Sequence, residues 1–487
     1  MVTTVLMDES GTPAPLAADA DPEHRPGPGP EPEPKRKREP APEPEPEPDL
    51  VPRLPRPAGP GPWRFAASPD QEALWAGLAH RARPPVVTGT LRLTGPLDAP
   101  ALAAAWRAVT GRHEILRSHY RVHEGRLTQV VPVRAEPPGP VAPAEVRPSQ
   151  VPAAVAAERE RAFDPAREPL ARLRLLRLAP GDHLAVLVLH ELIADSTTLG
   201  LLVSELAAAY RGAPADRPAL QYADLAAWQQ QRAVRGHLDE STEYWLRRLN
   251  GAEPAVLPWD LSAPGSPGHT PGAGRALSFP LPQELSAKIA EAARRHRAGV
   301  QVVGLAAFQL LLACWSGQRD ISVRGPVPDR GRGGGQRMLG PLSRAVVLRS
   351  DLTGAPSFGE VVDRVRHTSA WDFAHHEVPL EPVAAQLRRP RLAQQLGEVQ
   401  FGAGPAADGP RWSAASWGGR LRAEPFTSAP APAARPLTLL LRHDERAAHC
   451  VFTYDSSVFS EARIRQLRAD YFGLLGDLAD HPKARFR

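Results

Sequence analysis

At 487 residues with a formal net charge of only +5, the chain is long enough for two or three domains with sizeable cores. Two cysteines, Cys314 and Cys450, exclude a disulfide framework and sit in no metal-ligand spacing. The positive charge is nearly all arginine scattered among acids, with no basic stripe interleaved with aromatics, which excludes a nucleic-acid footprint.

Residues 1–62 read as a disordered arm. Segment 26–48 is proline and charge without an apolar period, and cannot bury enough surface to offset its ordering entropy. No signal-peptide pattern opens the chain, and no apolar stretch reaches the roughly 18 residues of a membrane span. A soluble, cytoplasmic protein without membrane contact is expected. Folded sequence begins near Trp63, with Ser68-Pro69-Asp70-Gln71-Glu72-Ala73-Leu74-Trp75 as its first motif. Val86 to Leu93 reads as a strand. Pro100 to Arg112 reads as a helix with Leu102, Ala105, Trp106 and Val109 on one face. Arg112-His113-Glu114-Ile115-Leu116-Arg117 follows, then a strand from Arg172 to Leu178.

The central stretch is Leu184 to Tyr210. Leu184 to Leu189 is unbroken apolar sequence, as in a strand buried on both faces. His190 and Glu191 stand at its end. Asp195 or Ser196 caps a helix whose Leu199, Leu202, Val203, Leu206 and Tyr210 recur at helical spacing. Gln221 to Trp228 and Tyr244 to Ala252 come next, and the Gly- and Pro-rich residues 251–274 read as a linker between two lobes. In the second lobe Gln283 to Arg295 and Val300 to Trp315 read as helices, with Cys314 as core packing. Gly325 to Arg330, Leu339 to Ala345 and His375 to Glu381 supply further motifs. Leu437 to Leu441, Thr453 to Asp455 and Ile464 to Leu478 close the chain.

Together these motifs resemble those of the condensation domains of nonribosomal peptide synthetases. The family's His-His-x-x-x-Asp-Gly reads here His190-Glu191-Leu192-Ile193-Ala194-Asp195-Ser196, so Glu191 replaces the histidine assigned to catalysis and Ser196 replaces the glycine. Ser68 to Trp75 follows the family's Ser-x-Ala-Gln-x-Arg-Leu-Trp, and Gly325 to Arg330 its Gly-x-Pro-Val-x-x-Arg. Arg344 stands where the family has an asparagine facing the channel. The resemblance covers about 63 to 487. It implies an α/β fold of two chloramphenicol-acetyltransferase-like lobes, 63–250 and 275–487, forming a V around a central channel.

What the resemblance implies about chemistry is acyl transfer from a carrier-bound thioester to an amine or hydroxyl. The phosphopantetheine arm of a peptidyl or acyl carrier protein carries the substrate, and no cofactor or metal is bound. Other synthetase modules are further partners. Glu191 occupies the catalytic position, His190 supports it, Asp195 pairs with Arg330 across the lobes, and Ser196 and Arg344 face the channel. A central histidine takes up the nucleophile's proton or stabilises the tetrahedral intermediate. An ionised Glu191 repels a developing oxyanion, and acts as a base only with a raised pKa. A contact with Arg344 would lower that pKa. His190-Glu191 is not a zincin motif, since Ala194 takes the place of the second histidine. Ser196 lacks a nucleophile elbow. Two readings therefore stand: an acyltransferase with a degenerate centre, and a catalytically silent condensation fold that binds carrier proteins or tailoring enzymes. A small-molecule acyltransferase using coenzyme A ranks below both.

Overall fold

The computed structural model describes residues 51–486 except 60, 79–84, 134–140, 214–215, 262–271, 329, 331–334, 355, 406–416, 428–432, 434 and 444–447. Residues 1–50, most of the expected arm, lie outside the described residues. Val51 onward forms one compact unit.

The first half of the chain runs β1 (Trp63–Ala66), α1 (Pro69–Leu78), β2 (Val86–Thr94), α2 (Ala99–Arg112), β3 (His119–His123), β4 (Arg126–Val131), β5 (Ala144–Glu145), α3 (Val151–Glu160), β6 (Ala171–Ala179), β7 (Asp182–His190), α4 (Ser196–Tyr210), α5 (Tyr222–Val234) and α6 (Asp239–Leu249). The second runs β8 (Gly274–Pro280), α7 (Gln283–Arg295), α8 (Val300–Ser316), β9 (Asp320–Pro328), β10 (Ser343–Asp351), α9 (Phe358–Ala374), α10 (Leu380–Gln386), α11 (Leu392–Leu396), β11 (Val399–Pro405), β12 (Arg422–Pro425), β13 (Leu437–His443), β14 (Ala448–Asp455) and α12 (Glu461–Asp480).

Two sheets organise two lobes. In the first, β7 sits between β2 and β6 in the order β12-β2-β7-β6-β5, and every residue from His183 to His190 is buried. That burial on both faces is why the apolar run does not alternate. Helices α2 and α4 add Trp106, Leu202 and Leu206 to the same core. In the second lobe the order is β10-β9-β11-β13-β14-β8, and α8 is its central helix, buried from Val303 to Ala313. Such an all-round apolar helix can only be interior. No single helix among the described residues is long and apolar enough to cross a membrane.

Four expectations need correction. Residues 51–59 do not belong to a disordered arm: Val51 is buried in the first core, and the Leu54 N–H donates to Asp224 at 2.9 Å. The first lobe does not end at 250, because Trp245 and Leu249 of α6, then Ala252 and Leu257 of the expected linker, are buried in the second core. Nor is the second half confined to the second lobe. β12 pairs antiparallel with β2, Arg422 opposite Thr94, and Trp417, Leu421 and Met338 pack into the first core. Finally, Cys314 falls on the outer face of α8 and is exposed.

Candidate functional site

β7 delivers His190 to the base of the site, buried at 3% exposure. Its Nδ1 accepts from the Leu192 N–H at 3.0 Å, and the ring meets Phe163 edge-on at 6.1 Å. Phe163 in turn carries the Arg172 guanidinium 3.7 Å from its centroid. With one nitrogen turned to its own backbone, His190 shapes the turn that follows the strand.

Glu191 comes immediately after β7, half-buried, and its N–H donates to the Pro85 carbonyl at 2.8 Å, just ahead of β2. The motif beginning at Ser68 supports the same turn from below. Gln71 Nε2 donates to the Leu192 carbonyl at 2.7 Å and to the Tyr120 hydroxyl at 2.8 Å. Burial pushes the Tyr120 hydroxyl well above its ordinary range, so it remains a neutral phenol.

Asp195 caps α4 through the Thr198 N–H at 2.6 Å. Its other contacts come from the second lobe. Arg330 Nη2 donates at 2.7 Å, the Ser343 N–H at 2.9 Å, the Ser343 hydroxyl at 2.8 Å and the Leu342 N–H at 3.2 Å. The two charged side chains are 9% and 11% exposed. Burial alone would raise the Asp195 carboxyl. The Arg330 charge and the Thr198 and Ser343 donors outweigh it and hold the group below the usual aspartate range. Arg330 also donates to the carbonyls of Met338 and Gly340, and Thr198 Oγ1 to Gly340 at 2.6 Å. Ser196, the first residue of α4, is exposed.

Arg344 has a partner that local sequence did not suggest. Its guanidinium meets Asp70 of α1 at 2.9 Å, and Nη1 donates to the Glu377 carbonyl at 3.2 Å. Arg232 of α5 reaches back to the Glu377 carboxylate at 2.6 Å while lying 4.8 Å from the Trp228 ring. Asp70, Arg232, Arg344 and Glu377 all line a small inter-lobe cavity of about 30 Å³, together with Tyr222, Trp228 and Leu342. Glu191 is not among its lining residues. Asp70, Gln71 and Glu377 stand inside or beside recognisable motifs, but no local pattern couples residues 274 positions apart, the separation of Asp70 and Arg344. Among the described residues no cluster of His, Cys, Asp or Glu is placed to hold a metal ion.

A family model described as "Condensation domain" matches residues 71–487. A linear gramicidin synthase from Brevibacillus parabrevis is 30% identical over 412 residues, covering 81% of this chain and 8% of that protein. Phosphinothricin tripeptide synthetase PhsC of Streptomyces viridochromogenes is 32% identical over 433 residues, covering 86% of this chain and 39% of that protein. The chain thus spans well under half the length of either relative. The X-domain from teicoplanin biosynthesis is similar at 26% identity and a TM-score of 0.77, covering 90% of this chain and 98% of that one. The same domain in complex with OxyB matches with a TM-score of 0.74 at 26% identity, covering 89% and 98%. The condensation domain of the polyketide synthase MokA, at 20% identity, shares the fold with a TM-score of 0.67. A family match over nearly all of the described unit, with the paired chloramphenicol-acetyltransferase-like lobes to go with it, places the chain in the condensation domain family.

Proposed function

We propose that this protein is a condensation fold of nonribosomal peptide biosynthesis that recruits partners rather than joining substrates. The observation that carries this reading is Glu191, a carboxylate at the end of β7 where the family places its catalytic histidine. Condensation forms a bond from an amine or hydroxyl to the thioester carbonyl and expels the thiolate. The nucleophile's proton must leave and the oxyanion must be stabilised. A glutamate offers no N–H to donate to that oxyanion, which works against the second requirement. Loss of a central acid–base group alone costs about 10²- to 10⁴-fold in rate. The likeness to the X-domain from teicoplanin biosynthesis, which forms a complex with OxyB, supports recruitment. The partners on this reading are peptidyl or acyl carrier proteins, met in the cytoplasm with their phosphopantetheine arms, and enzymes that act on the carrier-bound product.

A second reading, acyl transfer with Glu191 as general base, is favoured by the intact Asp195–Arg330 pair, which keeps the strand end and the α4 cap in register. The two separate in one reconstitution. The full chain is mixed with carrier proteins loaded with donor and acceptor, and both complex formation and product are followed. Recruitment gives binding without product, equally in wild type and Glu191→Ala. Product that falls sharply in Glu191→Gln establishes the transferase.

A further inference from the structure

The first two residues of β10 touch the first lobe on opposite sides. Successive side chains of a strand point to opposite faces. Ser343 accordingly reaches Asp195 at the start of α4, and Arg344 reaches Asp70 in α1. The Ser343 side is a backbone-rich anchor, in which the buried Asp195 carboxylate accepts from the Leu342 and Ser343 N–H groups. The Arg344 side is built differently. It is a chain of four alternating charges, Asp70–Arg344 and Glu377–Arg232, joined where Arg344 Nη1 donates to the Glu377 carbonyl.

The polarity of this chain is reciprocal. The first lobe contributes one acid and one base, Asp70 and Arg232, and the second contributes the matching base and acid. Two pairs spanning one gap with opposed polarity hold only one register, because a slide that parts the opposite charges brings like charges closer. The side chains of Arg344, Arg232, Glu377 and Asp70 are 7%, 16%, 16% and 28% exposed, so salt screens these pairs less than fully exposed ones. All four line the inter-lobe cavity.

We infer that Asp70, Arg344, Glu377 and Arg232 form a lock that keeps the two lobes closed over the inter-lobe cavity in the resting protein. This deepens the recruitment reading by giving the fold a second obstacle, independent of Glu191, to a pantetheine arm passing between the lobes. The asparagine that the family resemblance places at position 344 is neutral and cannot complete the charge chain, so the lock depends on Arg344.

The test measures lobe separation and makes no use of turnover or partners. Spin labels are placed at the exposed residues Ala76 and Glu381 of the full chain, with Cys314→Ser to remove the exposed native thiol. Pulsed electron resonance then reads the inter-lobe distance. Wild type gives a single short population. Arg344→Asn with Arg232→Gln adds a longer-distance population, and each single variant gives a smaller share of it. The charge swap Asp70→Arg with Arg344→Asp returns the distribution toward the short one. Should the double variant fail to fold, Arg344→Asn alone decides. A loosened variant with the wild-type distribution, or a swap as open as the loosened variant, overturns the lock. That result leaves the recruitment reading standing, while product formation by the wild-type chain overturns recruitment and the obstacle to the arm, and leaves the closed register of the lobes to be decided by the distances.

Discussion

Replacing Asp195 by alanine tests how the lobes are joined. The substitution removes the acceptor of five hydrogen bonds, one capping α4 and four from the second lobe. It also leaves the Arg330 guanidinium, 11% exposed, without its carboxylate. Breaking a buried pair by removing one partner costs about 3–5 kcal/mol, and losing an N-cap about 1 kcal/mol. Arg330 keeps the Met338 and Gly340 carbonyls, which argues for the low end, about 4 kcal/mol in all. With an unfolding entropy of about 2.1 cal/mol/K per residue, the melting temperature of the unit Val51–Arg487 falls by about 4 °C. Scanning calorimetry measures it. The acid limb is a second readout. Because the folded pKa lies below the unfolded one, the carboxylate's contribution is complete above about pH 4 and disappears as pH falls through the lower folded value. Asp195→Asn should therefore lose part of the wild-type decline below about pH 4. Melting of Asp195→Ala unchanged from wild type would refute the argument that this pair couples the lobes.

Three further outcomes follow from the geometry. Arg56 bridges Glu114 and Asp224, whose side chains are 7% and 1% exposed. Arg56→Ala should cost about 3–5 kcal/mol, and a chain starting at Trp63 should melt lower than one starting at Val51 in the same calorimeter. Gly95 holds φ near +115°, and a Cβ there would lie 2.4 Å from the Arg420 carbonyl oxygen. Gly95→Ala should cost about 1–3 kcal/mol and loosen the segment carrying Trp417, seen as a red shift in tryptophan emission. Glu191→His restores the family's residue at the end of β7. On the recruitment reading it remains without product in the carrier assay as long as Arg344 keeps the lobes closed, and gains product only alongside Arg344→Asn.

Single elements of the two cores are legible in the sequence where they rest on local pattern. The run Leu184 to Leu189 fits a doubly buried strand, and Asp195 sits where a helix needs an acceptor. The stretches Gln283 to Arg295 and Val300 to Trp315, which read as helices in the sequence, match the helices Gln283–Arg295 and Val300–Ser316 almost to the residue. What was missed depends on partners far along the chain. Val51 and Leu54 look like the end of a proline-rich arm until Asp224, 170 positions later, offers Leu54 an acceptor. β12 is four residues long, Arg-Ala-Glu-Pro, with no apolar alternation, and it is a strand only because β2 presents an open edge. Cys314 belongs to a run that is apolar on every side, so composition could not say that the last turn of α8 emerges from the core.

The return of β12 to the first sheet has a consequence for anyone recombining such domains. A cut near residue 250 looks natural by sequence, yet it strips the N-terminal fragment of the strand that covers β2 and of Trp417 and Leu421 from its core. The stretch of β2 that β12 pairs, Leu91 to Thr94, would become an open edge and a template for intermolecular pairing, so the fragment should aggregate on expression. The C-terminal fragment fares no better, because Trp245 and Leu249 of its core stay behind on the other side of the cut. Chimeras assembled at that point would have to supply matching halves of two cores and one sheet at once. Whole-unit exchange from Val51 onward avoids the problem.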